Sequence, residues 1–218
     1  MTKLIAHAIA PIAEWLFRRE WLALKDKLKL IYQYHQQEYE SRPSILLQSL
    51  LISGEDHRFF THGGFDIIAF CRVIWRGTIL GQKEGASTIE MQIVRILTER
   101  YERTITRKIR ETALATLLTQ IAPKSELPSI YIRIGYYGWK MNGFRAACNH
   151  LGLDPRLIKQ EDAAALIASL KYPQSHYISD HRRNQIKRRA EHLLMLHRRH
   201  LLNGTYVGLL ERGDYATV

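Results

Sequence analysis

Residues 54–64 read GEDHRFFTHGG and set Glu55, Asp56, His57 and His62 among Phe59 and Phe60, between glycines. Glu55 follows the apolar run ILLQSLLIS and precedes both phenylalanines, so part of its surroundings is expected to be dry. Poor solvation makes a carboxylate a better base, and Glu55 is the candidate to take a proton. The plainer alternative is that Ser53 or Asp56 caps a helix and Glu55 complements its positive end. The two histidines and two acids are also the donor types of a metal site. No second ligand group of recognised spacing follows them, so no metal site is assigned.

A second polar group lies in GASTIEMQIVRIL, residues 85–97. Ser87 and Glu90 fit a capping box, which predicts a helix start after a glycine turn. Thr88, Gln92 and Arg95 fall at i, i+4 and i+7, a polar stripe opposite Ile89, Ile93 and Ile96. A helix N-terminus with such a stripe can receive an anion. A third lies in RKIRETALATLL, residues 107–118, where Arg107 and Lys108 precede Glu111 by four and three positions on one helix face. Ile109, Ala113 and Leu117 then point to the core. An exposed pair of this kind contributes only about 0.5 kcal/mol, so this stretch alone reads as ordinary surface.

Helical periodicity positions these groups. Trp15, Leu22, Leu28 and Ile31 recur at helical spacing, as do Leu46, Leu47, Leu50 and Leu51, and Ile109, Ala113, Leu117 and Ile121. Breakers at Pro43, Gly63–Gly64, Gly81, Gly85, Pro123, Gly135 to Gly143, Pro155 and Pro173 divide the chain into about eight helices. The fold class expected is mainly α. With no repeat and no Ser/Pro/Gly-rich linker, one domain is expected, an amphipathic helical segment over 1–40 leading into a body over 41–218.

The 218 residues are 46% apolar and 24% charged, an ordinary globular composition, with 32 basic against 21 acidic residues for a net charge of +11. That excess points to a polyanionic partner. Cys71 and Cys148 have no metal or redox spacing and are expected to be packed thiols. Leu4 to Ala13 lacks charge but is far short of the roughly 18 to 20 apolar residues of a membrane span; it is also rejected as a signal peptide, since the cleavage site would come too early. FDIIAFCRVIWRGTILG, residues 65–81, suits a core helix or a segment resting in a membrane interface, and general burial habits favour the core. DHRRNQIKRRAEHLLMLHRRHLL, residues 180–202, puts Ile186, Ala190, Leu193, His197 and Leu201 on one face and seven Arg or Lys elsewhere, a solvated basic face.

Taken in order, these stretches resemble one family. EDHRFFTHGG matches the E-D-x-x-F-x-x-H-x-G signature of the peptidoglycan glycosyltransferases, glycosyltransferase family 51, at Glu55, Asp56, Phe59, His62 and Gly64. GASTIEMQIVR is similar to the G-G-S-T-I-x-Q-Q segment at Gly85, Ser87, Thr88, Ile89 and Gln92, and RKIRE matches R-K-x-x-E at Arg107, Lys108 and Glu111. The resemblance continues more thinly through Lys124 to Pro128, YIRIGYYG, GFRAACNHLG and EDAAALIASLKYPQSHY, covering roughly residues 40 to 200. Ala86, Met91 and Arg133 depart from the family pattern, and Arg95 stands where a lysine is common.

The resemblance implies a lysozyme-like helical larger lobe with a smaller, membrane-proximal lobe formed around residues 65–81. It implies a peptidoglycan glycosyltransferase that polymerises lipid II into glycan strands with inversion, releasing polyprenyl diphosphate. Glu55 would be the base, and Arg95, Arg107 and Lys108 the cradle of the leaving diphosphate. Glu111 would orient those cations or hold a divalent ion, magnesium or manganese, with no obligatory cofactor. Asp56, Phe59, His62, Ser87, Thr88 and Gln92 would bind and position substrate. The partners implied are lipid II, the growing glycan chain, an anionic membrane surface and other cell-wall synthesis proteins, with no nucleic acid. The form expected is monofunctional and peripheral, on the outer, periplasmic face of the bacterial cytoplasmic membrane. The rival readings are a lysozyme-like glycoside hydrolase, which needs two carboxylates but no phosphate cradle, and a non-catalytic basic module that binds membrane or nucleic acid through residues 180–200.

Overall fold

The structure, a computed structural model, describes residues 2–37, 42–80 and 85–210. The break expected at Gly81 lies outside them. The protein is mainly α, with eleven α-helices and one two-stranded ribbon among the described residues. The count exceeds eight partly because some junctions carry no Gly or Pro. Phe17 alone separates α1 (Thr2–Leu16) from α2 (Arg18–Gln37). The chain forms two compact units, Met1–Lys29 with Arg58–Lys124, and Leu30–His57 with Ser125–Val218.

In the first unit, α5 (Ile89–Thr98) and α6 (Ile105–Ile121) pack on each other, and α1 packs on α6. Ile89, Met91, Ile93 and Val94 of α5 and Leu114, Leu117 and Leu118 of α6 are buried. Ile109 is 58% exposed, contrary to the expectation that it faces the core. It lies in the second turn of α6, before the buried stretch that begins at Glu111. Trp15 and Leu22 are also exposed, and Trp21, Leu24 and Leu28 take the buried face of that stretch.

The helix α4 (Ile67–Leu80) corrects a second expectation. None of its described side chains is buried, and Ile68, Phe70 and Trp75 are exposed, Trp75 at 65%. Core burial therefore fails for the described side chains of this helix, exposed Cys71 among them. Its start is fixed by Asp66, whose Oδ1 accepts from the Ile68 and Ala69 N–H groups and whose Oδ2 meets Arg58 Nε at 2.9 Å. Burial works to raise the Asp66 carboxyl, but the Ala69 N–H and the Arg58 guanidinium outweigh it and hold it below the usual value.

The second unit is built around α3 (Ile45–Glu55), which is buried from Leu47 to Ser53. A helix with apolar residues all round has no solvent face to present, so other helices must surround it. It packs on α7 (Leu127–Ile134), α9 (Gln160–Lys171) and α10 (Asp180–Leu202). Ser44 caps its start by accepting from Leu47 N–H. On α10 the buried stripe is Ile186, Ala190 and Leu193, and Leu201 is exposed, so the apolar face stops short of the helix end. The ribbon β1 (Tyr136–Gly138) and β2 (Met141–Asn142) pairs Tyr136 with Asn142 and Gly138 with Met141, leading into α8 (Phe144–Leu151). Cys148 on α8 is buried as expected, and burial pushes its thiol up to about 11. The last helix is α11 (Val207–Leu210).

Candidate active site

Glu55 is the last residue of α3, and Asp56 is its C-cap, donating its backbone N–H to Ile52 O. This removes the alternative in which Glu55 complements a positive helix end, since a helix C-terminus carries the negative end of the dipole. The Glu55 side chain is 21% exposed, and its Oε1 lies 3.0 Å from Arg189 Nη2 on α10. The same nitrogen donates to Gly54 O at 2.6 Å. Arg189 is absent from the sequence-based expectation, because 134 residues separate it from Glu55.

Behind this pair the second unit holds a polar cluster. Ser53 Oγ makes a short hydrogen bond with Tyr206 OH and lies 3.0 Å from His200 Nδ1. Tyr206 OH is 3.0 Å from His197 Nδ1, and the His57 ring stacks on His200. Burial lowers the proton affinity of both His197 and His200, and for His200 the neighbouring His57, Arg199 and His197 add to it.

The first unit holds the cationic group. Glu111 is only 2% exposed, and Arg95 grips it at both oxygens, Nε to Oε1 at 2.7 Å and Nη2 to Oε2 at 3.1 Å. Arg107 Nη1 also donates to Oε1, one helical turn away. The reading of Arg107 and Glu111 as an exposed surface pair is thus corrected, for Glu111 is buried by its position between α5 and α6. Both of its oxygens are occupied by guanidinium donors, which suits a carboxylate that orients cations and does not fit a ligand for a divalent ion. Lys108 Nζ donates to Ser87 Oγ at 2.7 Å. Burial lowers the Lys108 proton affinity against the pull of Glu111, with Arg95 and Arg107 lowering it further.

Ser87 therefore does not cap α5. Thr88 does, its Oγ1 accepting from Met91 N–H while donating to Gly64 O at 2.7 Å. Glu90 is not a capping-box partner either; its Oε1 accepts from Lys124 Nζ at 2.6 Å with the Glu90 side chain fully buried. Lys124 also donates to His62 O at 2.9 Å and stands 4.1 Å above the Phe59 ring. Phe59 begins a 3-10 turn, Phe59–Thr61, and meets His62 edge to face; both are fully buried. Phe59 and His62 are thereby placed as supports of the loop. Gln92 lies half-buried in the second turn of α5.

The transglycosylase family profile matches residues 29–197. A biosynthetic peptidoglycan transglycosylase of Rhizobium meliloti is 32% identical over 165 residues, 74% of this chain and 69% of that protein. A monofunctional glycosyltransferase of Staphylococcus saprophyticus is 32% identical over 125 residues, 57% of this chain and 46% of that protein. Penicillin-binding protein 1A of Neisseria lactamica is 30% identical over 133 residues, 60% of this chain and 17% of that protein. The chain spans half or less of the length of the latter two relatives. With the match running over most of its length, the chain belongs to the transglycosylase family.

Proposed function

We propose that the protein is a peptidoglycan glycosyltransferase that polymerises lipid II into glycan strands by inverting transfer, releasing polyprenyl diphosphate. The observation that carries this reading is the buried carboxylate of Glu111 clasped by Arg95 and Arg107, with Lys108 beside them. Fixed cations in poorly solvated surroundings stabilise charge that gathers on a leaving diphosphate, and a half-buried lysine gains a counter-ion when a phosphate arrives. Membership of the family and the names of its relatives agree with this. In the proposed reaction Glu55 removes the proton from the acceptor's sugar hydroxyl as that oxygen attacks the anomeric carbon, and the C–O bond to the diphosphate breaks on the opposite face.

A place at the outer face of the cytoplasmic membrane belongs to the same proposal. No helix among the described residues is long and apolar enough to cross a membrane. The exposed Ile68, Phe70 and Trp75 of α4, with Arg72 and Arg76 on the same helix, suit contact with an anionic lipid surface. Incubation of the purified protein with labelled lipid II in detergent tests the activity. A ladder of glycan products is expected, and solubilisation of finished peptidoglycan with lipid II left untouched would contradict it.

A further inference from the structure

We propose that Arg189 is a positioning residue for Glu55, holding that carboxylate aimed for proton transfer; the inference rests on the glycosyltransferase reading above. A helix ends with unsatisfied carbonyls, and a basic side chain near the end can take one of them. Arg189 does so at Gly54 O and, with the same nitrogen, reaches Oε1 of the next residue. One guanidinium thus fixes the last peptide of α3 and the side chain it carries.

The local sequence is shaped to allow this. A Cβ on Gly54 would overlap Leu193 Cδ2 and come within 2.9 Å of Arg189 Nη2, so glycine lets α10 approach at this point. Ala190 and Leu193, buried beside Arg189, seat that stretch of α10. The Arg189 side chain is 13% exposed, so its ion pair is less screened than a surface one. Other titratable groups near Glu55 are Asp56, which follows it, and His57, stacked on His200. Arg189 supplies a cation within hydrogen-bonding distance of the Glu55 carboxylate.

A staple that only stabilised the fold would leave the proton-transfer step unchanged once the protein was folded. The test therefore compares Arg189→Gln, Arg189→Lys and Glu55→Gln with the parent enzyme in lipid II polymerisation, with melting temperature recorded for each. Arg189→Gln keeps donors but loses the charge. It is expected to lower kcat about 10- to 100-fold with KM little changed. Arg189→Lys keeps the charge, and its kcat is expected to lie between those of the parent and Arg189→Gln, because one ammonium cannot reproduce the guanidinium geometry. If Arg189→Gln does not fold, Arg189→Lys still decides: parental kcat overturns the inference. A folded Arg189→Gln with parental kcat overturns it as well. Glu55→Gln separates the two levels. Polymerisation by that variant removes the assignment of the base, whereas an inactive Glu55→Gln beside a parental Arg189→Gln defeats only the role given to Arg189.

Discussion

Arg95 and Glu111 meet through two parallel hydrogen bonds, of 2.7 and 3.1 Å, that join α5 to α6. Sixteen residues apart, they bring the second and third polar stretches of the chain into one group, and Arg107 completes it from the turn before Glu111.

Because the Glu111 carboxylate is 2% exposed, its removal leaves two guanidiniums without their counter-charge in a poorly solvated place. Glu111→Ala is expected to cost about 3 kcal/mol of stability, the usual result of breaking a buried pair from one side. Urea denaturation measures it, and a loss below about 0.5 kcal/mol, typical of a surface pair, would be contrary to this account.

Thr88 both caps α5 and holds the loop at Gly64. Thr88→Val, which keeps the shape and removes the hydroxyl, should cost about 1 to 2 kcal/mol. Gly64→Ala should cost more. Gly64 has φ +90°, and an added Cβ would overlap Ala115 O on α6. Paired thermal melts test the order, and Gly64→Ala melting above Thr88→Val would reverse it.

These contacts show what the chain reveals on its own. The periodicity of residues 45–53 announces α3, and the four-residue spacing of Arg107 and Glu111 announces their pairing. Two adjacent hydroxyls, Ser87 and Thr88, offer the same cap, and only packing decides that Thr88 takes it while Ser87 serves Lys108. Glu90 reads as a cap partner until Lys124, 34 residues on, is brought to it. Arg189 carries no local signal, because a basic residue in a basic helix looks solvated until α10 packs on α3. Apolar content likewise misleads at α4, since an exposed apolar helix and a core helix share a composition.

His200 and His197 supply a pH dependence with a definite sign. Burial sets the folded proton affinity of both below the ordinary 6.5. The unfolded chain therefore binds more protons between the folded value and 6.5, so stability is full above 6.5 and falls on acidification through that window. His200→Asn should flatten this slope, measured by denaturation across the acid range; an unchanged slope would show that burial of His200 does not carry it.

The exposed aromatics of α4 should matter for lipid and not for folding. Each buries enough apolar surface in an interface to contribute about 1.5 kcal/mol or more. Phe70→Ser with Trp75→Ser should therefore lower partition onto anionic phospholipid vesicles at least about tenfold, with the melting temperature unchanged. Equal sedimentation of both proteins with the vesicles would remove this helix from the membrane contact.

The most direct measurement is the glycan ladder formed from labelled lipid II by the parent protein and by Glu55→Gln, each shown to be folded by its melting curve. A ladder from the parent and none from the variant is the predicted result. Ladders of equal length and yield from both would contradict the assignment of Glu55 as the base.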